Sequence, residues 1–144
     1  MLILKKNNID EIRAFKFILD KTKDLNEFVN CLKIYTNIRF TGVFKNKKYT
    51  IKDFADFIKY FSTELDRGPK IKMYGNNIIK ANFYNDTFAP LSEYLPNVSI
   101  FANVILDVIY SKMFKNENSL NIVREGTPLW QGGDCDSVLM HIKL

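Results

Sequence analysis

Few side chains in this sequence can act as nucleophiles or exchange protons near neutral pH, because its 144 residues include one histidine and two cysteines. Cys135 lies between Asp134 and Asp136, and acidic neighbours disfavour the thiolate that a reactive cysteine needs. Neither CxxC nor HxxxH occurs, and the GxGxxG, GxxxxGK and GxSxG patterns are absent. We therefore predict no catalytic residue, no metal site and no cofactor.

Two enzymatic alternatives stay open. A small metal-free nuclease would use the basic side chains of Arg124, His141 and Lys143, whose spacing does not define a geometry. Asp107 would supply an acid if its face of a helix lined a cleft. Because no spacing brings these groups together, we expect the protein not to be an enzyme.

The clearest binding pattern is a predicted β-hairpin over residues 70–84 with the loop Gly75-Asn76-Asn77. A three-residue loop places Met73 opposite Ile79 and Lys72 opposite Lys80, which keeps the apolar side chains on one face. On the polar face, lysines can hold phosphates while bases stack on tyrosines, as on single-strand platforms. The candidate nucleic-acid-binding residues are Lys70, Lys72, Tyr74, Lys80, Asn82 and Tyr84, together with Lys47 and Lys48 of a basic turn.

The segment Glu125–Asp136 is predicted to be a loop, because its glycines and its proline interrupt helices and strands. Long ordered loops in compact domains are often functional. Trp130, the only tryptophan, either covers one end of the core or projects as an anchor for a protein partner. The candidate partner-binding residues are Trp130 with Asp134 and Asp136 at a polar rim.

Charge is distributed unevenly along the chain. Residues 1–80 hold 17 basic and 9 acidic side chains, whereas residues 81–144 hold 4 and 7. This asymmetry indicates either an anionic partner, such as nucleic acid bound through residues 39–84, or a solvated lysine-rich surface. Lysine supplies nearly all of the positive charge, and the scarcity of arginine disfavours bidentate, sequence-specific base recognition.

The apolar run Val98–Phe114 is the predicted core helix. Its polar residues Ser99, Asn103, Asp107 and Ser111 are four positions apart, so they form one line that we expect to touch water. The run is shorter than the roughly 20 residues of a membrane span, and we predict no membrane contact.

The remaining patterns predict an α+β fold in one domain, residues 1–144, with helices on one face of an antiparallel sheet of about five strands. The chain begins with four apolar residues and then charge, so we expect no secretory signal, a cytoplasmic location and reduced Cys31 and Cys135. The predicted order is α-α-β-α-β-β-α-β-β, with strands over Asn37–Phe44, the hairpin, Leu120–Arg124 and Ser137–Leu144. Capping patterns at Asn8–Glu11, Asp24–Glu27 and Thr50–Asp53 predict helices over Ile9–Lys21, after Asp24 and after Thr50, and the fourth helix is Val98–Phe114.

These observations favour a small non-enzymatic interaction protein that binds a larger macromolecule. A protein partner is the first expectation, and a short chain rich in Lys, Asn and Ile would fit a phage or mobile-element accessory protein, such as an inhibitor of a host system. The alternative is a nucleic-acid-binding module that uses the hairpin face. The second alternative is the small metal-free nuclease.

Overall fold

The computed structural model describes residues 8–85, 87, 91, 99–115 and 120–143, with side chains from residue 12 onward. Within these ranges the fold is α+β, with four α-helices and a four-stranded antiparallel sheet. A short 3₁₀ helix, Leu129–Gln131, lies between the last two strands. The elements are α1 Asn8–Lys21, α2 Leu25–Arg39, α3 Ile51–Glu64, β1 Pro69–Tyr74, β2 Ile78–Phe83, α4 Ser99–Phe114, β3 Asn121–Glu125 and β4 Asp136–His141.

The strands are ordered β1-β2-β4-β3 in the sheet. The hairpin register is confirmed, because Met73 is paired with Ile79 and Lys72 with Lys80. The last strand buries Val138, Met140 and the following residue Ile142, as its alternation predicts, while Leu144 lies outside the described residues. The inner strand β4 therefore places its apolar side chains beside those of β2.

Local hydrogen bonds explain where two of the helices begin. The Asp24 carboxylate accepts a hydrogen bond from the backbone N–H of Glu27 at 2.8 Å, which caps α2. Thr50 and Asp53 form the predicted capping box of α3. The hydrogen bond from the Thr50 backbone N–H lowers the pKa of the Asp53 carboxyl. The predicted Asn8–Glu11 box of α1 lies outside the described side chains.

The core helix α4 lies between the other helices and the sheet. The Phe101 ring contacts Phe15 and Phe28, with centroid distances of 5.0 and 5.4 Å, and so packs against α1 and α2. Asn103 is two positions further on, about 200° around the helix, and it contacts Arg124 of β3. Because opposite sides of α4 are covered, the apolar surface predicted around most of its circumference is buried.

The predicted strand over residues 37–44 is wrong, and the sheet has four strands rather than five within the described residues. Helix α2 continues to Arg39, and turns follow it. The buried face of this helix carries the polar residues Thr36 and Arg39 beside Leu32, while Ile38 is 66% exposed. Polar residues on the inside and an apolar residue outside conceal the helical period, so the segment looks like an alternating strand.

We expect two Phe→Ala substitutions on helices to differ sharply in effect. Phe101 is 0% exposed, so Phe101→Ala should lower the free energy of unfolding by about 3–5 kcal/mol. Phe17 is 63% exposed, so the matched control Phe17→Ala should change it by less than about 0.5 kcal/mol. Urea unfolding followed by circular dichroism measures both, and equal losses would contradict a core centred on α4.

Candidate functional site

The two faces of the sheet differ in chemistry. The inner face is apolar and packs against the helices, with Ile79, Ala81, Phe83, Val138 and Met140 all buried. The opposite side, here called the outer face, presents mainly polar and aromatic side chains, together with the aliphatic Ile78, Leu139 and Val123. In the order β1-β2-β4-β3 it consists of three rows: Tyr74, Ile78, His141 and Asn121; Lys72, Lys80, Leu139 and Val123; and Lys70, Asn82, Ser137 and Glu125.

Exposed tyrosines lie at both ends of the outer face. Tyr74 is 49% exposed at one end, and Tyr84, directly after β2, is 42% exposed at the other. The Lys70 ammonium lies 5.4 Å from the centroid of the Tyr84 ring, which is within the range of a cation–π contact. Tyr74 is paired with Ile78, and Ile78 lies six residues before Tyr84. At roughly 3.3 Å per residue, the two tyrosines are therefore separated by about 20 Å along the strands.

The lysines of the outer face lie between these rings. Lys70 and Lys72 are exposed, and Lys80 is half-buried. The Lys80 ammonium is 3.6 Å from a Glu125 carboxylate oxygen, which partly offsets the like charge of Lys72 directly opposite. The structure therefore brings together the hairpin residues of the predicted nucleic-acid site. Lys47 instead contacts Tyr49 in the connection between α2 and α3, and this contact involves no residue of the outer face.

The candidate partner-binding residues of the β3–β4 loop are not placed together on one surface. Asp136 is buried, so it does not lie at the polar rim predicted for it. Its carboxylate accepts hydrogen bonds from the Arg67 guanidinium at 3.2 Å and from the backbone N–H of Leu129 at 2.8 Å. Asp134 is exposed. The buried ion pair was not expected, because Arg67 and Asp136 are 69 residues apart and no local pattern relates them.

Trp130 lies in the 3₁₀ helix of the same loop. Its side chain is half-buried and packs against the hydrophobic core, and its indole nitrogen is buried. This position favours the interpretation in which Trp130 covers one end of the core and fixes the loop. The role of Trp130 as a partner anchor stays a prediction.

The polar line on α4 is partly covered by the sheet and its connection, so the expectation that it touches water is met only in part, with Asn103 and Asp107 half-buried. Asn103 accepts a hydrogen bond from the Arg124 guanidinium at 2.6 Å. Asp107 accepts one from the backbone N–H of Leu120 at 2.6 Å. Ser99 is buried and Ser111 is exposed. Asp107 therefore anchors the start of β3, and its role as an acid stays a prediction.

Arg124 is half-buried on the inner side of the sheet, which counts against the nuclease alternative. Burial lowers the pKa of its guanidinium, and the negative charge of Asp136 acts in the opposite direction. Arg124 contacts α4 from the inner face, whereas His141 is exposed on the outer face. Successive side chains of a strand point to opposite faces of a sheet, so a side chain on the inner face cannot meet one on the outer face. The predicted trio of Arg124, His141 and Lys143 therefore does not converge on one side of the sheet.

An open cleft of about 520 Å³ is present where the β3–β4 loop, residues 126–135, meets the outer face. Gly133 is required in its wall, because a Cβ there would lie 1.7 Å from the carbonyl oxygen of Thr127. Sequence inspection singled out the loop and, separately, Lys80 of the hairpin, but it did not predict that they meet in a cleft. Its lining residues are Lys80, Glu125, Gly126, Thr127, Gly132, Gly133, Asp134, Cys135 and Ser137.

A second concavity of about 330 Å³ lies beside α3 and is mostly apolar. Phe44 and Phe57 pack at its base with ring centroids 4.7 Å apart, and Tyr60 is partly exposed at its side. Sequence inspection did not indicate a groove at this position. The lining residues are Val43, Phe44, Tyr49, Asp53, Asp56, Phe57, Tyr60 and Met113.

No protein-family model matches the chain, and comparison with curated proteins finds no match. Within the described ranges, no group of three His, Cys, Asp or Glu side chains is placed to hold a metal ion. None of the described helices is both long enough and apolar enough to cross a membrane. Cys31 and Cys135 are free thiols, each half-buried. The side chains of the outer face then give the strongest indication of a ligand.

We expect Asp136 and Asp134 to differ in their importance for stability. Asp136→Ala leaves the buried Arg67 guanidinium without its carboxylate, and breaking a buried ion pair in this way costs about 3–5 kcal/mol. The control Asp134→Ala removes an exposed carboxylate two residues away and should change the free energy of unfolding by less than about 0.5 kcal/mol. Chemical denaturation of the two variants measures the difference, and similar stabilities would show that the ion pair is not formed in solution.

Proposed function

We propose that the outer face of the sheet binds single-stranded nucleic acid. The observation that supports this proposal is the placement of Lys70, Lys72 and Lys80 between two exposed tyrosines on one continuous face. Bases stack on aromatic rings, and lysines contact phosphates, in proteins that hold single strands on a sheet. The cytoplasm is the expected location, since the free thiols of Cys31 and Cys135 are typical of a reducing compartment.

A single strand fits the outer face better than a duplex does. Proteins read duplex DNA by inserting a helix or a two-stranded ribbon into the major groove. Tyrosines exposed on the broad surface of a four-stranded sheet instead require unpaired bases whose faces are accessible. The positive side chains of the outer face are lysines, which act as point charges, so we expect binding with little sequence preference and strong salt dependence.

A protein partner remains a second candidate, including the predicted role as an inhibitor of a host system. The observation that favours it is the apolar groove beside α3, where Tyr60 and other aromatic side chains are accessible. Aromatic residues are enriched among the anchors of protein interfaces. Capture of proteins from a lysate of the source cells, by wild type and by Tyr60→Ala and Trp130→Ala variants, tests this candidate. If one variant fails to capture a protein that wild type captures, the substituted residue identifies the surface that binds this partner. If wild type captures no protein specifically, the candidate function is wrong.

The main test changes the charge of the outer face. Lys72→Glu combined with Lys80→Glu should weaken binding of a fluorescent single-stranded oligonucleotide strongly. It should also reduce the slope of log affinity against log salt by roughly 0.7 for each phosphate that a lysine no longer neutralises. The matched control is Lys23→Glu combined with Lys59→Glu, which makes the same charge change at exposed positions on the helical side of the molecule.

Each tyrosine contributes a separate prediction. Tyr74→Ala and Tyr84→Ala should each weaken binding by about 1–3 kcal/mol, the range measured for loss of a base–aromatic stack, with little change in the salt slope. Fluorescence anisotropy across a salt series separates the stacking and phosphate contributions. If wild type and the Lys72/Lys80 variant bind equally, or if neither binds at any salt concentration, the proposed function is wrong.

A further inference from the structure

We infer that the cleft between the β3–β4 loop and the outer face holds a ribose, so that the protein prefers RNA to DNA. This inference rests on the proposed function, because the sugar would belong to a strand lying on the outer face. Lys80 and Ser137 belong to the rows of that face and also line the cleft. A strand that crosses the lysines therefore leads directly into the cleft, whose volume of about 520 Å³ lies within the usual range of ligand sites.

The charges of the cleft favour a sugar over a phosphate. Glu125 and Asp134 contribute two carboxylates, whereas Lys80 contributes one ammonium that already lies 3.6 Å from Glu125. A phosphate placed here would be repelled by the carboxylates. A neutral hydroxyl group instead donates a hydrogen bond to a carboxylate, and hydrogen bonds to ionised acceptors are stronger than those between neutral groups.

The hydroxyl groups of the cleft complement this arrangement. Ser137 donates its hydroxyl proton to the Asn82 side-chain oxygen at 2.7 Å, so its own oxygen is left to accept a hydrogen bond from a ligand. Thr127, which carries a second hydroxyl, also lines the cleft. The 2′-hydroxyl is both donor and acceptor, and it is the group by which proteins distinguish RNA from DNA.

The wall of the cleft is held in place by hydrogen bonds within the loop. The backbone N–H groups of Gly132 and Gly133 donate to the carbonyls of Leu129 and Pro128, each at 3.0 Å. The N–H of Leu129 in turn donates to the buried Asp136 carboxylate at 2.8 Å. A wall fixed in this way orders little on binding, which lowers the entropic cost of holding a sugar.

The test compares three fluorescent 12-residue oligonucleotides that share the base uracil: ribose, deoxyribose and 2′-O-methyl ribose. We expect wild type to bind the ribose strand about tenfold more tightly than the deoxyribose strand. The 2′-O-methyl strand should bind like the deoxyribose strand, because the methyl group removes the donated hydrogen bond. Glu125→Gln combined with Asp134→Asn should reduce the preference for ribose to less than about twofold while deoxyribose binding stays equal or improves.

The matched control, Asp20→Asn combined with Glu64→Gln, removes the same charges from exposed helix positions and should keep the tenfold preference. Thermal unfolding of both double variants establishes that each is folded. Equal binding of ribose and deoxyribose strands by wild type would overturn the inference and leave the proposed function standing. A ribose preference that survives in the Glu125/Asp134 variant would also overturn it, whereas failure of wild type to bind any strand would overturn the proposed function itself.

Discussion

The buried ion pair between Arg67 and Asp136 joins the parts of the chain on which the outer face depends. The guanidinium and carboxylate are 3.2 Å apart, and both side chains are buried. Arg67 lies between α3 and β1. Its guanidinium lies 4.1 Å from the centroid of the Phe83 ring at the end of β2. Its backbone carbonyl accepts a hydrogen bond from the backbone N–H of Tyr84. Asp136 begins β4 and also accepts the N–H of Leu129 in the β3–β4 loop. One pair of charges therefore fixes the ends of three strands and the base of the loop.

A buried ion pair is not by itself a large source of stability, because removal of both charges from water offsets most of their attraction. Its effect here is to exclude other arrangements, since a shift of β4 by one residue would leave Arg67 in the interior without its carboxylate. The backbone on both sides of Arg67 is left-handed, with φ 57° at Asp66, which costs free energy for a non-glycine residue, and φ 58° at Gly68, which glycine adopts without strain. The rows of the outer face follow from this register, and so does the position of Ser137 at the edge of the cleft.

Sequence patterns predicted the parts of the fold that local interactions determine. The caps at Asp24 and Thr50 and the register of the hairpin depend on residues a few positions apart, and all three are confirmed. The strand over residues 37–44 was wrong because Arg39 is buried by tertiary contacts, which reversed the apparent polarity of the helix. The position of Asp136 was wrong for the same reason, since its partner is distant in sequence. The candidate hairpin face could be predicted from the alternation of polar and apolar residues within the hairpin. The cleft could not, because it forms only where a neighbouring strand and the folded loop meet, and these are distant segments of the chain.

The charge pattern of the outer face connects stability to the proposed function. Lys72 and Lys80 are directly opposite on adjacent strands, where like charges destabilise an antiparallel sheet. Glu125 lies 3.6 Å from Lys80, and no comparable ion pair is found for Lys72 in the described part of the chain. An anion held between the strands would relieve the remaining repulsion, so part of the free energy of binding would come from strain already present in the sheet. Since a ligand that binds only the folded state stabilises it by mass action, a chain with this pair should be most stable when its outer face is occupied.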